Sequence, residues 1–316
     1  MSAMRDPRKT FGAALTSAAE RDAAIVALSV DSGLSSGLGQ LRATHPERYI
    51  EVGIMEQAAT GMASGLATAG KVPVLCAIAP FVTARNFEMF RNDLGYMRQN
   101  VKIVGRNAGL SYSQLGPTHH SLDDIALTRM IPGVVVIAPQ DCGEIEGAVQ
   151  AMLRHDGPVY MRIGAGGIPD LFPPGPFKIG RGRVITEGDH VTVVSTGHVT
   201  AAVQDAVADL RARGIRAEHI GMPTIEPLDG ELLLASISRT GRIVTVEEHY
   251  ERGGLGGAVA ELLSKTLRAP HLVIGVPHRF VPSGPYEDVL EACGLDVRSL
   301  TDRIAAFAGE EAPLVS

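Results

Sequence analysis

The sequence has few of the residues that mark several classes of protein. It has no tryptophan, aromatic residues make up 4% of it, and it has only three cysteines, Cys76, Cys142 and Cys293. Three scattered cysteines give neither a disulfide framework nor the spacing of a zinc site, and they predict a reduced, cytoplasmic environment. No apolar run approaches the roughly 18 residues of a membrane span. The charged amino terminus also lacks the apolar core of a signal peptide.

The chain also lacks an excess of positive charge. It has 29 Lys and Arg against 35 Asp and Glu, a formal net charge of −6, and no dense basic run. This balance argues against binding to a nucleic-acid backbone. Hydrophobic residues make up 45% and charged residues 20%, which excludes intrinsic disorder. A length of 316 residues predicts about two domains.

Short β-branched runs alternate with longer helical patterns, and the 36 glycines indicate many tight turns. In the first half, the predicted strands are 25–30, 72–78, 101–105, 134–138 and 159–163. The predicted helices there are 8–20, 55–69, 82–97, 123–130 and 142–155, the last with Asp141 as its N-cap. Strands that alternate with helices predict a mostly parallel sheet with helices on both faces.

A stretch rich in proline and glycine, 169–176, then interrupts the pattern, which resumes in the second half. Strands are predicted there at 191–196, 216–220, 243–247 and 271–276, and helices at 199–213, 228–238 and 255–267. The fold class is therefore α/β with two such domains. We assign residues 1–170 to the first domain, 171–186 to a linker and 187–316 to the second domain.

Glu56 opens a helix made almost wholly of small residues, which can pack closely against a neighbour or a flat ligand. A carboxylate in the first turn also stabilises a helix through its dipole, so the pattern alone leaves a purely structural role open. The loop Leu115-Gly-Pro-Thr-His-His120 presents two adjacent imidazoles, of which at most one can serve a given site. Imidazole can donate or shuttle a proton, although a turn before the next helix explains the loop equally well.

Three further segments have both functional and structural interpretations. A loop rich in Gly and Ser, from Asp31 to Gly39, follows the first strand, where open α/β sheets bind ligands. The run Gly253-Gly-Leu-Gly-Gly257 opens a helix, and close packing is its simpler explanation. Arg162, near the end of a strand, could meet a ligand phosphate or form an ordinary ion pair.

Taken in order, these segments resemble the C-terminal half of transketolase over nearly the whole chain. The segments that carry the resemblance are Gly53-Ile-Met-Glu56-Gln57, Gly116-Pro-Thr-His119, Ile137-Ala-Pro-Gln-Asp141, Tyr160-Met-Arg162, Val246-Glu-Glu-His249, Gly253-Gly-Leu-Gly-Gly257 and Gly275-Val-Pro-His-Arg-Phe280 with Ser283-Gly284. The resemblance implies a pyrimidine-binding domain for thiamine diphosphate, followed by a transketolase C-terminal domain.

The resemblance also implies roles for individual residues. Glu56 would hydrogen-bond the pyrimidine nitrogen N1′ and favour the tautomer that activates the cofactor. Phe81 would stack on the pyrimidine, and Asp31 would lie near the thiazolium ring. His119 would act beside the reacting carbon. The phosphate of the sugar would contact Arg162 and Ser35 or Ser36.

Two positions depart from the family pattern. Leu115 stands where the family usually has an aspartate that binds a substrate hydroxyl, and Asn107 stands where it has a second histidine. A buried leucine cannot accept a hydrogen bond, and an unpaired hydroxyl costs about 1–3 kcal/mol. We therefore expect altered sugar specificity, for example for a deoxy, branched or unphosphorylated sugar.

The segment Gly-Asp-Gly…Asn, which holds Mg²⁺ and the diphosphate in transketolases, is missing. The nearest string is Gly188-Asp189-His190, which has no following glycine or spaced asparagine. The resemblance thus implies one subunit of a split transketolase. An N-terminal partner subunit would carry the Mg²⁺ site, with the two chains assembled as α₂β₂.

Three alternatives remain open at this point. The chain could be the beta subunit of a 2-oxo-acid dehydrogenase decarboxylating component, which would need a lipoyl carrier protein. It could be related to 1-deoxyxylulose-5-phosphate synthase, which would use pyruvate and release CO₂. It could also be a non-catalytic regulatory or assembly subunit, although that role would not require Glu56.

Overall fold

The computed structural model describes residues 4–173 and 175–309. Eight strands lie in the described part of the first half: β1 Met4–Arg5, β2 Ile25–Ser29, β3 Tyr49–Glu51, β4 Val72–Ile78, β5 Lys102–Arg106, β6 Val135–Ile137, β7 Val159–Arg162 and β8 Ile168–Pro169. Its helices are α1 Pro7–Arg21, α2 Gly39–Thr44, α3 Glu56–Thr68, α4 Ala79–Val82, α5 Phe87–Met89, α6 Asp124–Arg129 and α7 Cys142–Arg154. A π-helical segment, Phe90–Tyr96, continues α5.

In the second half, the residues up to 309 form six strands: β9 Arg183–Thr186, β10 Val191–Ser195, β11 Ala217–Gly221, β12 Thr224–Glu226, β13 Ile243–Tyr250 and β14 His271–Val276. Its helices are α8 Thr200–Ala212, α9 Gly230–Thr240, α10 Leu255–Lys265, α11 Tyr286–Ala292 and α12 Val297–Gly309. None of the helices in the described ranges is long and apolar enough to cross a membrane.

The first sheet has seven strands in the order β12-β6-β7-β5-β4-β2-β3. Every neighbouring pair from β6 to β3 is parallel. All five residues of β2 are buried, as expected for a strand that is covered on both faces. Because β2, β4 and β5 are neighbours and parallel, the loops that follow them meet at one edge of the sheet.

The second sheet has five strands in the order β14-β13-β10-β11-β9. Its strands are parallel except β9, which pairs antiparallel with β11. Strand β9 lies inside the segment 171–186 that the sequence analysis assigns to the linker. Part of that segment is therefore built into the second sheet.

Strand β12 connects the two halves, because it comes from the second half of the chain but pairs antiparallel with β6 of the first sheet. One hydrophobic core cluster likewise contains Val136 and Tyr160 of the first sheet together with Ile225 and Leu233 of the second half. The two halves are thus joined by backbone hydrogen bonds and by a shared core.

The structure confirms the predicted fold class of two domains with mostly parallel, helix-covered sheets. Asp141 caps α7 as expected, since its side chain accepts a hydrogen bond from the Glu144 N–H at 2.7 Å. The continuous helix predicted at 82–97 is wrong. The chain instead forms α4, a turn that begins at Thr83 (φ −115°, ψ −81°), the short α5 and the π-helical segment.

Candidate active site

A cavity of about 230 Å³ lies where β2 and β4 end and α3 begins. Asp31 follows β2, Glu56 is the first residue of α3, and Phe81 belongs to α4 directly after β4. All three line this cavity, which we call the Glu56 cavity. The sheet order alone brings these residues together from separate parts of the chain. The remaining lining residues are Val30, Ser32, Ile54, Ala77, Ile78 and Arg85.

Glu56 is 4% exposed and forms an ion pair with an arginine that the sequence analysis did not identify. Its Oε1 accepts a hydrogen bond from Arg85 Nη1 at 2.9 Å. The Arg85 side chain is 44% exposed, so the pair joins a buried carboxylate to a guanidinium at the surface. The charge of Glu56 is therefore compensated by a group that can move into solvent.

The same Arg85 guanidinium lies over the ring of Phe81, with its Cζ 3.9 Å from the ring centroid. Cations and planar N–H donors bind favourably to the face of an aromatic ring. The Glu56 cavity thus combines a stacking face with a buried acceptor for an N–H group. This pair of features suits a flat nitrogen heterocycle that carries N–H donors or a protonated ring nitrogen.

Asp31 is held in a left-handed backbone conformation, with φ of 58°. Its N–H donates to Glu51 Oε1 at 2.6 Å, and Glu51 Oε2 accepts from the Tyr49 hydroxyl at 2.8 Å. Burial tends to raise the pKa of Glu51, but the hydrogen bonds from Asp31 and Tyr49 hold it below its usual value. Glu51 is therefore a charged anchor that positions the Asp31 loop.

His119 lies on the loop after β5 and contacts Phe81, which lines the Glu56 cavity. Its ring packs edge-on against Phe81, at 5.3 Å between centroids, and against Tyr112 at 5.9 Å. Its Nδ1 is hydrogen-bonded to Thr118 Oγ1 at 2.9 Å. His120 is 6% exposed, and burial lowers its pKa. The partly buried His119 and the buried His120 thus do not share one site, as expected for adjacent side chains.

A larger cleft of about 810 Å³ lies between the two halves of the molecule. Asn107 and Leu115 line it from the first half, and Glu248 and Tyr286 line it from the second. Leu115 is 52% exposed, so the sequence-based description of a buried leucine is wrong. Its lack of a hydrogen-bond acceptor is unchanged. Asn107 has a left-handed backbone, with φ of 56°.

Arg162 lines neither of these two cavities, in contrast to the phosphate contact predicted for it. Its Nε donates to Asp124 Oδ2 at 2.9 Å, and its Nη2 donates to the carbonyl oxygens of Ser121 and Glu248, both at 3.2 Å. Asp124 is fully buried. These internal contacts, which also reach β13, explain the position of Arg162 without a ligand, and its contact with a phosphate stays a prediction.

Ser35 likewise lines neither cavity, and its hydroxyl donates to the carbonyl oxygen of Ser32 at 3.0 Å. It is exposed on the loop after β2. Its neighbour Ser36 is buried and accepts a hydrogen bond from Arg106 Nε at 2.9 Å. Of the two serines, only Ser36 therefore contacts Arg106, whose neighbour Asn107 lines the cleft.

The glycine run 253–257 is a packing feature, in agreement with its simpler explanation. Glu247 accepts hydrogen bonds from the N–H groups of Leu255 and Gly256 at 2.7 and 2.8 Å, which caps α10. A Cβ at Gly254 would lie 1.9 Å from Glu247 Oε2. Glycine is therefore needed for the close approach of this carboxylate.

Together, the fold and the Glu56 cavity define a class of protein. Proteins of this class have two domains with mostly parallel sheets. A buried glutamate and an aromatic ring lie at the carboxyl edge of the first sheet. Within the described ranges, no group of three His, Cys, Asp or Glu side chains could hold a metal ion.

Comparison with known proteins assigns the family. Residues 3–166 match the family model for the transketolase pyrimidine binding domain, and residues 180–300 match that for the transketolase C-terminal domain. The chain therefore belongs to the transketolase family.

Relatives of similar length are named as subunits. The chain is 37% identical to one of the subunits of the apulose-4-phosphate transketolase of Phocaeicola vulgatus, over 95% of this chain and 96% of the relative. It is 33% identical to a 6-deoxy-6-sulfo-D-fructose transketolase subunit of a Clostridium species, over 93% of this chain and 91% of the relative.

One solved structure and one longer curated relative complete the comparison. A solved structure described as a split gene transketolase, inactive beta4 tetramer, superposes with a TM-score of 0.90 at 36% identity and covers 96% of this chain and 99% of that one. The chain is also 34% identical to the 1-deoxy-D-xylulose-5-phosphate synthase of a Synechococcus species, over 95% of this chain but only 48% of the relative.

Proposed function

We propose that this chain is one subunit of a two-polypeptide, thiamine diphosphate-dependent transketolase. In this proposal, a two-carbon ketol unit passes from a ketose to an aldose at the Glu56 cavity. The observation that carries the proposal is the arrangement of Arg85, which donates to the buried Glu56 carboxylate while its Cζ lies over the Phe81 ring. A planar N–H donor is thus already bound in the way that an aminopyrimidine would be.

The residues present fit the cofactor. Glu56 would hold the pyrimidine nitrogen, Phe81 would supply the stacking face and Asp31 would line the same cavity near the thiazolium ring. When bound, thiamine diphosphate supplies an electron sink for cleavage of the bond next to a ketose carbonyl. Arg85 must leave Phe81 for this contact to form, and its exposed side chain can do so at low cost.

His119 is the proposed proton donor to the oxygen atoms of the sugar. Because Thr118 engages Nδ1, Nε2 is the ring nitrogen left to contact a substrate hydroxyl. The ring contact between His119 and Phe81 supports this role, because Phe81 lines the Glu56 cavity. Imidazole suits this role because its ordinary pKa lies near neutral pH.

A partner chain would complete the enzyme. The family match covers a pyrimidine domain and a C-terminal domain, and the relatives of similar length are named as subunits. We infer that an N-terminal transketolase-type subunit supplies the Mg²⁺ and diphosphate site, and that the assembly is α₂β₂. We further propose that Leu115 and Asn107, both at the cleft, alter the sugar specificity.

The test is purification of the tagged chain from its native lysate, followed by an assay of two-carbon transfer with and without added thiamine diphosphate and Mg²⁺. We expect a co-purifying protein with the segment Gly-Asp-Gly…Asn, and activity that depends on the cofactor. Robust turnover by the pure single chain would contradict the split enzyme. Release of CO₂ from pyruvate would favour a synthase of 1-deoxyxylulose 5-phosphate instead, and a requirement for a lipoyl carrier protein would favour a 2-oxo-acid dehydrogenase.

A further inference from the structure

A cavity of about 740 Å³ lies at the edge of the first sheet opposite to the Glu56 cavity. Sites for small molecules typically have volumes of about 300–1,000 Å³. The cavity is lined by residues that precede β5, β6 and β7, among them Arg98, Gly133 and Asp156. Because these strands are parallel, their amino ends meet here, whereas the Glu56 cavity lies at carboxyl ends. We call this second site the Arg98 cavity.

Two arginines give the Arg98 cavity an excess of positive charge. Arg91 and Arg98 both line it, and both are exposed. Neither forms an ion pair or a side-chain hydrogen bond with a residue in the ranges 4–173 and 175–309. Basic side chains near the end of a helix often bind its terminal carbonyl groups, but in these ranges the two arginines do not. Their N–H groups are therefore available to a ligand.

A buried lysine behind the Arg98 cavity accounts for the carboxylate that lines it. Lys102 is fully buried, and its Nζ donates to Asn100 Oδ1 at 2.6 Å. The same Nζ donates to the carbonyl oxygens of His155 and Gly157, both at 2.7 Å. Burial lowers the pKa of Lys102 to about 7, and the charge of Asp156 acts in the opposite direction. Asp156 is thus a counter-charge for Lys102, and the charges of the two arginines stay uncompensated.

The backbone around both arginines is unusual. Arg98 has a left-handed conformation, with φ of 52°, directly after the π-helical segment Phe90–Tyr96. Its N–H donates to the carbonyl oxygen of Gly95 at 3.2 Å, and glycine or asparagine usually occupies such a position after a helix. Residues with strained backbones cluster at functional sites, and so do π-helical turns such as the one that contains Arg91. Both arginines therefore lie on backbone that is typical of a binding site.

Tyr96 adds an aromatic ring to the same cavity. Its side chain is 88% exposed and makes no ring contact with a residue in the described part of the chain. An aromatic ring can stack against a nucleobase. Arginine binds phosphate through two parallel N–H groups. The Arg98 cavity thus suits a ligand that has both a planar heterocycle and phosphate groups.

We propose that the Arg98 cavity binds a nucleoside polyphosphate. Arg91 and Arg98 contact its phosphate groups, and Tyr96 stacks against its base. The proposal is independent of the proposed function, because the Arg98 cavity shares no lining residue with the Glu56 cavity or with the cleft between the two halves. A nucleotide bound there lies at the opposite edge of the sheet from the proposed reaction.

The first test is isothermal titration calorimetry of the full-length chain with ATP at constant ionic strength. Because each variant loses a charged hydrogen bond, Arg91→Gln and Arg98→Gly should each weaken ATP binding about 10- to 100-fold. Glycine adopts the backbone conformation of Arg98 without strain, so Arg98→Gly should fold with an unchanged Tm. Arg298→Gln is the control, since that side chain is 91% exposed, and it should bind ATP like the wild type.

The second test separates the base from the phosphate groups by comparing ATP with inorganic triphosphate. We expect ATP to bind more tightly than triphosphate, because only ATP can stack on Tyr96. Tyr96→Ala should weaken ATP binding about tenfold and triphosphate binding less than twofold. If triphosphate binds as tightly as ATP and Tyr96→Ala binds ATP like the wild type, the cavity takes a free phosphate chain and the assignment of a nucleotide is refuted.

Three other results would overturn the proposal. The wild type shows no binding of ATP, or Arg91→Gln and Arg98→Gly bind ATP as tightly as Arg298→Gln. In the third result, saturating thiamine diphosphate displaces ATP, which would place the nucleotide at the Glu56 cavity. None of these measurements requires catalysis, so the failure of the proposed function would leave the test of the Arg98 cavity unaffected.

Discussion

Substitution of Glu56 by glutamine separates a catalytic from a structural role of this carboxylate. Glutamine keeps the size and one acceptor oxygen but removes the charge. The structural cost is small, because the ion pair with Arg85 is half open to solvent, with the arginine side chain 44% exposed. Such a pair contributes about 1 kcal/mol or less. A carboxylate in the first helical turn adds about 0.3–1 kcal/mol.

The expected effect on activity is larger. A positioned acid or base contributes about 10²- to 10⁴-fold to a rate. Because each tenfold factor corresponds to about 1.4 kcal/mol, this is roughly 3–5 kcal/mol of activation free energy. The loss in kcat should therefore exceed what the loss in stability can explain. In a chain of this size, a destabilisation of 1 kcal/mol lowers Tm by only about 2–4 °C.

The assay is two-carbon transfer by the complex at saturating thiamine diphosphate, together with thermal unfolding of each variant. Glu231→Gln is the matched control. Glu231 also lies in the first turn of a helix, α9, but its side chain is 91% exposed. If kcat of the Glu56→Gln complex stays within about twofold of wild type and both variants lose the same stability, Glu56 serves only the helix dipole and the catalytic reasoning is refuted.

Three further predictions concern the cleft, the core and the response to pH. Because Leu115 is half exposed, Leu115→Asp should leave stability unchanged and shift the kcat/KM ratio between a ketose and its deoxy analogue about two- to tenfold. An unchanged ratio would remove Leu115 from specificity. Asp124→Asn leaves the Arg162 charge buried and unpaired, so urea unfolding should show a loss of about 3–5 kcal/mol, and a loss below about 1 kcal/mol would contradict the pairing. Burial lowers the pKa of His219 to about 3 and that of His198 to about 4, from 6.5. Their neutral forms therefore stabilise the fold at neutral pH, and this stability is lost as pH falls from about 6.5 towards 4. His219→Gln should make this part of the stability profile flatter, and an unaltered slope would count against it.

Local patterns predict the buried strands well. Val72–Ile78 is predicted with its bounds, because a short apolar run between Gly70 and Pro80 is typical of a strand covered on both faces. Tyr49–Glu51 is missed, since three partly exposed residues at the edge of a sheet carry no such signal. Thr224–Glu226 is also missed, because this three-residue strand pairs with a strand that is far away in the sequence.

The candidate site is predictable only in part, for a related reason. The sheet brings Asp31, Glu56 and Phe81 to one cavity, and each follows a predicted strand or begins a predicted helix. The roles assigned to them remain predictions. Arg85 is missed because its contact with Glu56 spans 29 residues. A motif gives the residue type at a position but not the partner that folding brings to it.

The pairing of β12 with β6 has a consequence for any attempt to divide the chain. A fragment that ends at residue 170 lacks β12, so the edge of β6 loses its hydrogen-bonding partner and Val136 loses its cover from Ile225. Unpaired edges invite association with other chains, and a fragment of this kind could recruit β12 from a second molecule. We therefore expect the two halves to aggregate or exchange strands when they are produced separately, although each has the length of an independent domain.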